Sequence, residues 1–182
     1  MLALAAPYAQ AEDAPKVKFS TSAGDFVIEL TPDKAPKTVE NFLLYVKDKH
    51  YDGTIFHRVI ENFMVQGGGY DAKYGEKKTR PPVVHEGRDA LSKGGLRNLV
   101  GTVAMARTND PNSASAQFFI NVRDNPFLDP TPANPGYTVF GKVVSGMDVI
   151  QSIKSAPTGA GGPFPSDVPR TTLVINSATL VK

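Results

Sequence analysis

Polar and apolar residues alternate along much of this chain, and glycine or proline interrupts the alternation every few residues. At 25–30, Phe26, Ile28 and Leu30 fall on one face and Val27 and Glu29 on the other, the period of a half-buried antiparallel strand. A second strand-like run at 17–22 precedes it across Ala23-Gly24, so the pair predicts a hairpin. With 16 Gly and 15 Pro in 182 residues, punctuation is above the usual share but below the disordered regime. Such a chain folds through many turns between short elements. Its 41% hydrophobic and 21% charged residues suit one globular domain with a real core.

The period changes at 36–50. Val39, Phe42, Leu43 and Val46 lie on one helical face, with Pro36 in the first turn and Glu40 near the start. Lys47, Lys49 and His50 lie near the end, as the helix dipole favours, and Asp52-Gly53 is the stop. Strand character returns at 55–66 and ends at Gly67-Gly68-Gly69. A polar stretch at 70–98 carries only a Val83-Val84 strand fragment; loops of that length are usually functional. Further strands are expected at 99–107, 116–122, 137–144 and 171–181, with a Gly/Pro loop at 157–169. A second helix follows Ser145, read as its N-cap with Asp148 three residues on, and Met147, Ile150 and Ile153 form its apolar stripe. About eight strands and two helices, without regular strand–helix alternation, exclude a doubly wound sheet. They predict a mainly β fold: a closed eight-stranded antiparallel β-barrel capped by two α-helices.

Twenty Lys and Arg against 18 Asp and Glu give a net charge of +2, and there is no basic run. A nucleic-acid partner is therefore not expected. No apolar run approaches the ~20 residues of a membrane helix, so no membrane partner is expected either. The absence of Cys removes disulfides, thiol nucleophiles and Cys-ligated metals. His50, His57 and His85 lack the spacing of a zinc site, and phosphate-binding glycine motifs are missing. No metal or other cofactor is expected. Residues 1–11, MLALAAPYAQA, end in the small-x-small pattern of a signal-peptidase site. They read as the remnant of a secretory signal. Residues 12–16 then form a flexible N-terminus and 17–182 the folded domain. A periplasmic location is expected, with a cytoplasmic one as the alternative.

One cluster carries chemistry of a different kind. FHRVI-x-x-FM-x-QGG occupies 56–68, GTVAMAR 101–107, AQFFI 116–120, FLD 127–129 and YTVFGKV 137–143. In these segments the chain resembles the cyclophilin-type peptidyl-prolyl cis-trans isomerases, in particular the periplasmic bacterial ones, from about residue 17 to 181. The resemblance implies an enzyme that speeds rotation about X–Pro bonds in unfolded or folding proteins. It implies Arg58 as the catalytic residue and a proline pocket of Phe63, Met64, Phe119 and Leu128. Gln66 and Gln117 would bind the substrate backbone and hold the arginine, and Ala106 and Arg107 would pair with the extended peptide. Taken alone, Phe63, Met64 and Phe119 would be read as core, and the two glutamines as surface residues. Phe118 and His57 point to the opposite face from their neighbours and read as structural.

Two departures stand out. Phe127 occupies the position of a rim Trp common in eukaryotic members, and Tyr137 that of a pocket His. In the family the Trp helps bind the inhibitor cyclosporin, so weak cyclosporin binding is expected. A monomer is expected as well. The alternative is a module or holdase chaperone that grips proline segments on the same barrel without turnover.

Overall fold

The structure is a computed structural model, described here for residues 13–182. The signal-remnant reading of 1–11 lies outside the described residues. Ten strands are present: β1 (Lys16–Thr21), β2 (Gly24–Leu30), β3 (Arg58–Ile60), β4 (Met64–Gly67), β5 (Thr102–Met105), β6 (Phe118–Asn121), β7 (Val139–Ser145), β8 (Thr158–Gly161), β9 (Phe164–Pro169) and β10 (Ile175–Leu180). Three helices accompany them: α1 (Pro36–Lys47), α2 (Gly87–Ser92) and α3 (Met147–Lys154). Eight strands form one sheet in the order β10-β1-β2-β7-β5-β6-β4-β3, all neighbours antiparallel; β8 and β9 form a separate hairpin.

The sheet is strongly curled into a half-barrel, and the expected closure is not present as a ladder. β3 and β10 are its two edges. The segment before β3 meets the start of β10 through an Ile55–Val174 bridge, a Phe56 N–H to Leu173 carbonyl bond of 3.0 Å, and Ile175 bonds to Gly53 N–H and the Thr54 carbonyl at 2.8 and 2.7 Å, but β3 itself does not pair with β10. At three residues, β3 is too short to complete a ladder, and the β8–β9 hairpin packs against it instead. Covering an edge this way blocks stray pairing.

The hairpin predicted at the N-terminus is β1–β2. Its inner side chains stack, with Phe19 and Phe26 ring centres 4.9 Å apart. α1 sends Phe42 into the same core against Phe19, Phe118 and Phe140. The helix stops at Lys47 rather than continuing to 50, and the residue ending it is Asp48. Its first turn has no acidic residue and Ala35 offers no side-chain cap. Glu86, from the long 70–98 segment, supplies that anion: its Oε1 accepts from Thr38 N–H at 2.6 Å and Thr38 Oγ1 at 2.7 Å. A carboxylate there satisfies orphan N–H groups and meets the positive end of the dipole.

Other expectations are corrected. α2 adds a third helix inside the segment read as loop; with six residues and Ala90 as its buried apolar anchor it left no periodic signal. Ser145 does not cap α3, because it is held in β7 opposite Val27; Gly146 takes the cap position. Val83-Val84 is not a strand, and the 157–169 loop is the β8–β9 hairpin. The 55–66 run is broken at 61–63 by a turn closed by a Phe63 N–H to Ile60 carbonyl bond of 2.9 Å.

Candidate active site

That turn builds the site. Folded back, β3 places Arg58 opposite Gln66, β4 places Gln66 opposite Phe119 of β6, and β6 places Phe119 opposite Ala104 of β5. Residues directly opposite share a face. Arg58, Gln66, Phe119 and Ala104 therefore form one transverse row on the outer face of the sheet. One residue along, Val59, Val65, Ile120 and Val103 form the inner row, and all four are buried in the main core.

The outer face carries its own small apolar cluster. Met64, Ala104, Phe119, Leu128 and Val139 are buried there, with Phe63, Ala106 and Tyr137 packed against them. Above it opens a groove of about 380 Å³ lined by Arg58, Phe63, Met64, Gln66, Ala106, Arg107, Phe119, Leu128 and Tyr137. Of the eleven residues expected from sequence, nine line this groove and two stand beside it. Gln117 sits one step back and accepts from Gln66 Nε2 at 3.0 Å. Phe127 projects from the rim, 67% exposed, stacked on Phe63 at 5.7 Å between ring centres.

The polar wall is a chain of side-chain bonds. Arg58 Nη1 donates to Gln66 Oε1 at 3.3 Å, and Gln66 is steadied by Gln117. Gln117 in turn lies against Gly69, where a Cβ would come within 2.5 Å of its Cγ. A side chain at 69 would push Gln117 away and loosen the arginine. Arg58 itself is solvent-exposed, so its guanidinium is free to meet a ligand.

The other side of the strand differs in chemistry. His57 is buried outside the main core, 5% exposed, between the rings of Tyr70 and Phe164 of β9 at 4.8 and 5.2 Å. Burial, and then the neighbouring Arg58 charge, hold its imidazole near a pKa of about 4. It is therefore neutral at ordinary pH.

Comparison with known proteins accounts for the arrangement. The profile described as "Cyclophilin type peptidyl-prolyl cis-trans isomerase/CLD" matches residues 16–180. The chain belongs to the cyclophilin family. It is 53% identical over 168 residues to a peptidyl-prolyl cis-trans isomerase of Streptomyces antibioticus, covering 91% of this chain and 98% of that one. Against peptidyl-prolyl cis-trans isomerase B of Escherichia coli the identity is 48% over 167 residues, covering 90% and 98%. A crystal structure of a Cryptosporidium parvum cyclophilin-type isomerase superposes with a TM-score of 0.72 at 26% identity, covering 93% of this chain and 98% of that one. The same protein, crystallised in the presence of the dipeptide Ala-Pro, gives 0.71 at 26% identity, covering 92% and 99%.

This cyclophilin also depends on residues that sequence reading passed over. Asn125 Nδ2 donates to the Phe63 carbonyl and to Asn121 Oδ1; Asn121 Nδ2 donates to Asn98 Oδ1; Asn98 donates to Asp129 Oδ1. This network fastens the loop carrying Phe127 and Leu128 to β4 and β6. The signal was available: Asn121 is a fully buried polar residue ending the apolar run Phe118-Phe119-Ile120. Among the described residues, no group of three or more His, Asp or Glu side chains converges as metal ligands.

Proposed function

We propose that this cyclophilin is a peptidyl-prolyl cis-trans isomerase in which the outer-face groove holds a proline ring and Arg58 stabilises the twisted amide. The observation that carries this is the transverse row, which sets an exposed guanidinium at the lip of an apolar floor made by Met64, Phe119 and Leu128. The related proteins named above are isomerases, and one was crystallised in the presence of Ala-Pro.

An X–Pro bond rotates over a barrier of about 18–20 kcal/mol, and no bond is made or broken. Twisting ends the amide resonance and returns a lone pair to the proline nitrogen. A fixed cationic donor beside that nitrogen favours the twisted state over both planar isomers. Uncatalysed exchange takes tens of seconds. Reaching milliseconds takes about 5–6 kcal/mol. A single preorganised donor contributes about 2.7–4 kcal/mol, a large part of that requirement. The Ala106 N–H is already bonded to the Gln117 carbonyl at 3.0 Å, which leaves the Ala106 carbonyl and the Arg107 amide to pair with an extended peptide.

The further parts of this reading are a monomer that aids folding of exported proteins in the periplasm, supported by Ala9-Gln10-Ala11 and the lack of Cys. Phe127 offers apolar area without a donor, which supports weak cyclosporin binding. N-terminal sequencing of the exported protein checks the location. The test of activity is exchange of a short Ala-Pro peptide, followed by NMR or a protease-coupled assay. Arg58→Ala should lower kcat/KM by about 10²–10³. Equal rates for variant and wild type would reject the role of Arg58; binding without acceleration by either would favour the binding-module alternative.

A further inference from the structure

The wall of the groove facing Arg58 is held by an assembly of its own. The Arg107 guanidinium lies over the Tyr137 ring, 4.5 Å from its centre. Its Nε and Nη2 both donate to the Gly136 carbonyl, at 3.1 and 2.7 Å, and its Nη1 donates to the Thr108 carbonyl at 2.8 Å. Tyr137 meets Phe119, the groove floor, edge-on at 5.5 Å.

The residues on either side of Tyr137 are gripped from the 70–98 segment, Gly136 by its carbonyl and Thr138 by its hydroxyl. His85 Nδ1 accepts from Gly87 N–H at 3.3 Å, which leaves the proton on Nε2 to be donated to the same Gly136 carbonyl at 3.1 Å. The Glu86 N–H donates to Thr138 Oγ1 at 3.3 Å. Gly136 has a φ of +63°, and a Cβ there would meet Pro130 N at 2.5 Å, so the pivot before Tyr137 suits glycine alone.

We propose that Arg107 is a positioning residue for the proline site: it fixes the Tyr137 ring against Phe119 and so sets the width of the groove. This goes beyond peptide pairing by the Arg107 backbone and rests on the isomerase reading. The side chain spends three donors on two carbonyls while lying flat on a ring. Only a planar fork does all of this together; a lysine keeps the charge and loses the geometry.

The experiment uses Arg107→Met and Arg107→Lys, each alone and in a Tyr137→Ala background. Both single variants should raise KM for the Ala-Pro peptide about tenfold, with a smaller fall in kcat, because a displaced wall weakens binding of ground and transition states alike. In the free protein the NMR resonances of the Tyr137 and Phe119 rings should shift in both. In the Tyr137→Ala background, Arg107→Met should change KM by less than about twofold, since the residue it acts through is gone. An equal loss in both backgrounds, or full rescue by lysine, overturns the proposal, because either would mean that Arg107 acts on the peptide directly through its charge. If the wild type shows no acceleration, the isomerase reading fails by itself. The same comparison made on peptide Kd and on the ring resonances then decides the positioning role.

Discussion

Phe118 and Phe119 are adjacent, identical and both buried, yet they serve opposite ends. Phe118 points inward and meets Phe19, Phe42, Tyr51 and Phe56 in the main core. Phe119 points outward, onto the groove floor beside Met64 and Tyr137. The inner face is continuous and apolar, with every side chain boxed in by others. The outer face has an apolar floor whose upper side is left open, with a guanidinium at one lip and a tyrosine held on the other. A pleated strand makes this division possible at no length cost, because successive residues change face.

The largest expected effect comes from cutting into the inner face. Phe118→Ala should cost about 3–5 kcal/mol of stability, since the rings around it cannot collapse into the space. Urea denaturation measures this. Arg58→Ala, on the outer face of the neighbouring hairpin, should leave the urea midpoint almost unchanged while losing catalysis as described above. A comparable stability loss from Arg58→Ala would mean that the two faces are not separable in the way their burial suggests.

His57 belongs to neither face: it is the buried chain neighbour of Arg58, packed between Tyr70 and Phe164. Its imidazole is held near pKa about 4, below the ordinary 6.5. Between those values the unfolded chain takes up a proton that the folded chain refuses. The stability is present above pH 6.5 and is lost as the pH falls toward 4, by about 3 kcal/mol in total. Burial lowers the pKa of His50 and His85 as well, so they add to the slope in the same direction. Denaturation curves at pH 7 and pH 4 for wild type and His57→Gln should show a clearly smaller drop in the variant. An unchanged drop would place the acid sensitivity elsewhere.

The inner face was the more legible half of the molecule. Period two at 25–30 is enough to assign Phe26, Ile28 and Leu30 to one side, because burial there follows alternation alone. The outer site was legible only through whole motifs. Read as one continuous strand, 55–66 would put Arg58 and Gln66 about 26 Å apart. The turn at 61–63 brings them to 3.3 Å, and no periodicity announces that turn. The sources of support at a distance were harder still. Glu86 capping α1, His85 at Gly136 and the Asn98–Asn121 link join residues 23 to 51 positions apart in sequence through one to three hydrogen bonds each. Such bonds leave no repeat in the chain. Local pattern also misplaced Ser145, because a ladder position in β7 outweighed its capping preference.

The smallest effect lies at the rim, where outer face becomes surface. Phe127 is 67% exposed and leans on Phe63, so its ring is held at one face and open to a ligand at the other. Phe127→Trp enlarges that open face and adds an indole N–H, and nothing in the core has to move to admit it. Affinity for cyclosporin should rise by about 1–2 kcal/mol, the worth of one hydrogen bond with some added apolar contact. Stability and Ala-Pro exchange should stay near wild type, because Phe127 is not among the residues lining the groove. Isothermal titration of both proteins against cyclosporin measures the difference. Tight binding by the wild type would show that the rim donor is dispensable. A gain in the variant accompanied by slower exchange would show that the rim belongs to the proline pocket.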